Sequence, residues 1–181
     1  MNITRIARSL PLIVFLLLGS TLLNNGYAQS ESSIQLSLFS PLQIVKPTDS
    51  IIGGRLNLIY GKNRNVSGID IGLVNHTTGN FMGFSYGAAH IVDGNATGFQ
   101  VGFVNHVKGE FVGWQYSLVN TNRSTRGFQL GFVNHSETMS GIQLGFINYA
   151  DRVNKGIQIG LINIIREGGV LPILPIVNWS F

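Results

Sequence analysis

One unit recurs along most of this chain, and it reads Gly-x-Gln-x-Gly-x-Val-Asn in its most regular form. The copies run Gly68-Ile-Asp-Ile-Gly-Leu-Val-Asn75, Gly83-Phe-Ser-Tyr-Gly-Ala-Ala-His90, Gly98-Phe-Gln-Val-Gly-Phe-Val-Asn105 and Gly113-Trp-Gln-Tyr-Ser-Leu-Val-Asn120. Gly127-Phe-Gln-Leu-Gly-Phe-Val-Asn134, Gly141-Ile-Gln-Leu-Gly-Phe-Ile-Asn148 and Gly156-Ile-Gln-Ile-Gly-Leu-Ile-Asn163 follow, and a degenerate copy at Gly54-Arg-Leu-Asn-Leu-Ile-Tyr60 precedes them. Starts fall 14 or 15 residues apart, so one small structural element is being repeated.

Within a unit the large apolar residues alternate, as in Phe99, Val101 and Phe103. That period of two belongs to a β-strand and fits no helix. The other face holds Gly and Gln, and across seven copies its one charged residue is Asp70. Charge, Gly, Asn and Asp gather between units, as in Val107-Lys-Gly-Glu110 and Asp151-Arg-Val-Asn-Lys155, which is turn chemistry. With its flanks the pattern predicts an all-β fold of ten strands, near 34–45, 51–61, 66–76, 81–91, 96–106, 111–120, 126–134, 140–148, 155–163 and 172–181.

Two architectures suit such a repeat. In an antiparallel β-barrel of outer-membrane type, each unit is one strand and the large apolar residues face lipid. In a β-solenoid, each unit belongs to a coil, Phe, Leu and Val point inward, and Asn75, Asn105, Asn120, Asn134, Asn148 and Asn163 stack as a ladder at a turn. Three features favour the barrel. His76, His106 and His135 occur in alternate units, as do Tyr86 and Tyr116, a thirty-residue period of the kind a hairpin produces. The uncharged face with its Gln row (Gln100, Gln115, Gln129, Gln143, Gln158) suits a narrow barrel interior better than water. Val177, Trp179 and the final Phe181 alternate with polar residues, as in a closing strand read by the barrel-assembly machinery.

Residues 1–28 place Arg5 and Arg8 before the apolar run Leu10–Leu18 and end in Gly26 and Ala28. This is the layout of a cleaved signal peptide with the cut at Ala28–Gln29, leaving 29–181 as a single all-β repeat domain. Only 11% of residues are charged while 44% are hydrophobic, a balance that excludes disorder. The chain has no cysteine, so disulfides, thiolate metal sites and thiol catalysis are excluded. Lys and Arg are scattered over the turns rather than clustered, which argues against nucleic-acid binding.

Little in the sequence carries catalytic chemistry. His76, His90, His106 and His135 have no carboxylate recurring in register for a metal site. Ser117 lacks an elbow and spaced partners for a triad. Asp93, Glu110, Glu137, Asp151 and Glu167 lie in separate turns, without the pairing glycoside hydrolysis needs. No enzyme activity, cofactor or metal is expected. The Gly-x-Gln-x-Gly-x-x-Asn units over 51–181, with the ending Leu171-Pro-Ile-Leu-Pro-Ile-Val-Asn-Trp-Ser-Phe181, resemble the surface-repeat proteins of leptospires and other Gram-negative bacteria. That resemblance implies a cell-envelope location and supplies no catalytic residues. Together these readings predict an exported protein in the outer membrane or at the cell surface, a small barrel in outer-membrane lipid with a structural, adhesive or minor pore role. The alternative is a water-soluble or surface-attached β-solenoid that binds a protein or glycan along one face.

Overall fold

A computed structural model describes residues 30–181, so the predicted signal peptide lies outside the described residues. The fold is all-β, but it is a β-solenoid of about seven turns and not a barrel. The strands are β1 (Glu31–Phe39), β2 (Leu42–Gln43), β3 (Ser50–Asn63), β4 (Val66–Thr77), β5 (Phe81–Val92), β6 (Ala96–Val101), β7 (Val104–Tyr116), β8 (Val119–Glu167) and β9 (Ile173–Ser180). From β3 to β8 each pairs parallel with the next, Gly68 on Gly83, Gly98 on Gly113 and Gly113 on Gly127. Each repeat therefore makes one full turn of the chain, the strand being interrupted after Val101 and after Tyr116, and β8 runs through several turns without a break.

Parallel pairing corrects the antiparallel barrel and the count of ten strands. The alternate-unit pattern has a different cause from hairpins. Stacked turns place equivalent residues about 4.8 Å apart, and the chain alternates unlike partners up a column. His106 Nδ1 meets Thr121 Oγ1 at 2.6 Å, and His135 stacks on Tyr149 at 5.1 Å between ring centroids. The C-terminal strand closes no barrel. It caps the last turn, antiparallel, with Val177 opposite Ile159 and Trp179 opposite Ile157, and Phe181 is exposed. The expected inward direction of Phe, Leu and Val in a solenoid is also corrected: on this stretch they point outward and the amides point in.

Two different interiors lie side by side in each turn. Toward the charged turns it is apolar, with Ile51, Val66, Phe81, Ala96, Val107 and Phe111 in one cluster and Met139, Ala150, Val153 and Ile165 in another. Between the clusters the register tightens from 15 residues to 14 after Val107, and Asn122, Thr125 and Ser136 fill the space. Their groups satisfy one another: Asn122 Nδ2 donates to Gln115 Oε1 at 2.7 Å, and Thr125 and Ser136 hydroxyls meet at 2.7 Å. The remaining interior, under the outward Phe, Leu and Val, is built of amides.

Candidate binding face

The Gln row and the Asn row both lie inside the solenoid. The asparagines stand within strands rather than in the charged turns, although Asn105 and Asn120 lie just after short breaks that follow Val101 and Tyr116. Gln115, Gln129, Gln143 and Gln158 each donate Nε2–H to Oε1 of the glutamine one turn earlier, at 2.8, 3.0, 2.7 and 2.7 Å. Asn105, Asn120, Asn134 and Asn148 donate Nδ2–H the other way, to Oδ1 one turn later, at 2.8–2.9 Å. The two amide ladders thus run in opposite directions. The Gln ladder ends in two unused atoms, Gln100 Nε2 at its N-terminal side and Gln158 Oε1 at the other, and the Asn ladder in one, Asn105 Oδ1 at its N-terminal side. Buried amides are tolerated here because nearly every donor and acceptor is paired.

Toward the N-terminus the same columns hold Arg55, Asp70, Ser85 and His90. Sequence reading singled out Asp70 and His90 but not their union. Ser85 Oγ lies 2.6 Å from His90 Nδ1 and 3.2 Å from Asp70 Oδ2, while His90 Nε2 meets Val101 O at 2.9 Å. A carbonyl only accepts, so Nε2 carries the proton and Nδ1 of the neutral ring accepts a hydrogen bond from the Ser85 hydroxyl. Burial holds the His90 pKa below the ordinary value. In a hydrolase triad the carboxylate orients the imidazole from the nitrogen remote from serine. Here a backbone carbonyl does so, and all three side chains are closed to solvent. Asp70, Ser85 and His90 form a structural network.

On the outside, four columns run the length of the solenoid, at the second, fourth, sixth and seventh positions of the repeat. Over the seven copies these 28 positions contain no charged residue, and their only side-chain polar groups are the Tyr86 and Tyr116 hydroxyls and the Trp114 indole N–H. Many are half-exposed, among them Phe99 at 53%, Phe103 at 63%, Trp114 at 57% and Leu161 at 62%. Charge sits on the opposite flank, at the turns, in pairs that bridge successive turns: Lys108–Asp93, Arg126–Glu110, Arg152–Glu167 and Arg166–Asp151. His76 joins this flank, its Nδ1 2.7 Å from Tyr60 Oη and its Nε2 2.9 Å from Asp93. The hydrogen bond from Lys108 is the main reason the Asp93 carboxyl lies below the ordinary aspartate value.

The N-terminal half of the apolar facet is indented by a groove of about 1070 Å³ between the fourth- and sixth-position columns, with Gly72, Gly87 and Gly102 as its floor. Among the described residues no group of three His, Asp or Glu side chains converges as a metal site would require. Val177 and Trp179 lie in the end cap, away from this groove. The alternation in the sequence separated large apolar from Gln positions, but only the winding of the chain gathers the former into one facet and the charges onto the other flank. Compared with protein families, with curated proteins and with solved structures, the chain matches none.

Proposed function

We propose that this protein is an exported, surface-attached β-solenoid of the cell envelope that seats its uncharged facet in the interfacial layer of a lipid membrane. The observation that carries this reading is the segregation of polarity across the whole fold: 28 outward positions without a charge on one side, and chains of ion pairs on the other. About twenty half-exposed side chains of some 150–250 Å² each leave on the order of 2,000 Å² of apolar surface, where the largest patch on an ordinary monomer is about 300–600 Å². That is also more than twice the roughly 800 Å² each partner gives to a standard protein interface. A glycan needs many polar groups, and the facet offers two phenols and one indole N–H. The amide ladders beneath let the apolar residues face outward without stranding polar groups. A basic, apolar and small-residue leader supports export.

The test is to make the full-length chain in Gram-negative cells, extract it from the envelope in mild detergent, and float it with phosphatidylcholine vesicles after detergent removal. Flotation resistant to high salt is the expected result. A monodisperse species that stays at the bottom of the gradient at every lipid concentration would overturn the reading.

A further inference from the structure

We infer that the groove on the N-terminal half of the facet is a binding site for a single extended alkyl chain, the acyl tail of a glycerolipid. The site is distinct from general seating on a membrane and stands whether or not the whole facet meets lipid.

Its origin lies in one departure from the repeat. The sixth-position column reads Leu73, Ala88, Phe103, Leu118, Phe132, Phe146 and Leu161, so Ala88 is the one small residue in a column of large ones. The missing side chain opens a notch midway along the groove, between Leu73 and Phe103, where the glycine floor is bare backbone. Both ends are defined. At the N-terminal end stand Leu42 and Gln43, anchored by Gln43 Nε2 donating to Lys62 O at 2.8 Å. At the other end the lining stops at Tyr116, in the turn where Ser117 replaces the floor glycine. The columns continue for three more turns, but there Phe132 and Phe146 stack at 4.6 Å and the column is filled. From β1 to the turn of Tyr116 is five strand spacings, about 24 Å at about 4.8 Å each.

Shape and chemistry together select the occupant. No charged residue lines the groove, so nothing there recognises a phosphate or carboxylate. Its buried polar side chains hold few free groups: Ser37 Oγ donates to Tyr60 O at 3.0 Å and Asn57 Nδ2 donates to Asn75 Oδ1 at 2.8 Å, while Asn57 Oδ1 is buried without a partner. An extended peptide laid on a sheet face would leave its amides unpaired, at a cost of about 1–3 kcal/mol each. A long, narrow, apolar furrow suits a flexible hydrocarbon, which has no such groups to satisfy. Tyr86 and Tyr116, two turns apart, can donate to an uncharged ester at the mouth.

The chain carries a built-in reporter, since Trp114 shares a turn with Tyr116 while Trp179 lies in the end cap and these are its only tryptophans. The probe is a nitroxide-labelled monopalmitoyl glycerol below its aggregation concentration, titrated into the purified full chain, with Trp114→Phe and Trp179→Phe variants separating the signals. Expected is saturable quenching of Trp114 at one probe per chain, with Trp179 little affected. Ala88→Leu restores the residue found at Leu73 and Leu118, and should weaken binding at least tenfold while leaving thermal stability and vesicle flotation unchanged. Phe146→Ala, a notch cut in the C-terminal half, should leave probe binding unchanged. Equal binding by Ala88→Leu and wild type, or non-saturable quenching of both tryptophans, overturns the site. Saturable quenching without flotation keeps the site and removes the membrane reading, and flotation with no Trp114 saturation does the reverse.

Discussion

Arg55 and Asp70 stand one turn apart in the interior column that carries glutamine from Gln100 onward, joined by Nε–H to Oδ1 at 2.8 Å and Nη2–H to Oδ2 at 2.7 Å, with both side chains sealed from water. Arg55 Nη1 is also used, donating to His76 O at 2.9 Å. The pair does at the N-terminal end what amides do further along, bridging successive turns, but with charges whose desolvation must be offset by each other. Asp70→Asn removes the compensation and leaves a buried guanidinium, so it should cost about 3–5 kcal/mol in denaturant unfolding. Arg55→Gln combined with Asp70→Gln replaces the ion pair with a pair of amides in the same column, below Ser85, and the double variant should lie within about 2 kcal/mol of wild type. A double variant as damaged as the single one would show that the charges are needed for more than bridging.

His90 occupies the Asn column, and its burial gives the fold a pH dependence. Because burial lowers its pKa, the unfolded chain binds a proton at a pH where the folded chain does not. Stability is then complete above the ordinary histidine value of about 6.5 and falls as pH drops below it toward the folded pKa. His90→Asn keeps the column in amides and offers Nδ2–H to Asn105 Oδ1, which has no partner in the native chain. Melting temperatures of the two proteins between pH 7.5 and 5 should diverge, with wild type falling more steeply. Asp93 acts in a separate window, since its lowered pKa contributes stability that is lost only in the acid range below about 4. Parallel curves between pH 7.5 and 5 would mean that His90 is not the responsible group.

Gly98 and Gly54 make a matched test of the winding. Gly98 has φ +125°, a region that side chains rarely adopt, and a Cβ there would fall 2.0 Å from Gly83 O of the turn below. Gly98→Ala should therefore cost about 3 kcal/mol or more, combining backbone strain with a clash against main chain that cannot move alone. Gly54 lies in the second-position column with Ile69 and Phe84, and nothing stands within 4 Å of its would-be Cβ. Gly54→Ala should be neutral or stabilising by up to about 1 kcal/mol. Equal effects at the two positions would mean that the turns are not stacked in this register.

Strand type, the 14–15-residue period and the shared face of Gln100, Gln115, Gln129, Gln143 and Gln158 were legible because alternation is a local property of the chain. Which face turns inward was not: it was read correctly only for the barrel, and the first copy starts at Gly53 rather than Gly54. Winding was not legible either. A unit with Gln in and Phe out satisfies the same pattern whether the next unit returns antiparallel or continues parallel, and nothing within Gly98–Asn105 distinguishes the two. The reading erred by treating the alternation of His106 with Thr121, and of Tyr86 with Val101, as two kinds of strand. Stacking places these residues on one another, where unlike pairs fit better than identical ones. The interior network was illegible for a related reason: Asp70, Ser85 and His90 meet through one turn of stacking, a separation that only the fold closes.

Phe146 and Asn154 separate contact with lipid from mere charge. Phe146 is 51% exposed in the middle of the uncharged facet, and Asn154 is exposed among the charged turns beside Lys155. If the facet seats in a membrane, Phe146→Lys withdraws about 100 Å² of apolar surface from lipid, worth about 2.5 kcal/mol or roughly 50- to 100-fold in vesicle affinity. Stability in water should change little, by about 1 kcal/mol or less, because the lost contact is chiefly one stacked ring with Phe132. Asn154→Lys adds the same charge on the far flank and should leave binding to uncharged vesicles as it was. Vesicle titrations of the three proteins decide the matter: equal affinities would place the facet away from the bilayer, whereas a loss confined to Phe146→Lys ties attachment to the side of the solenoid that its amide ladders support from within.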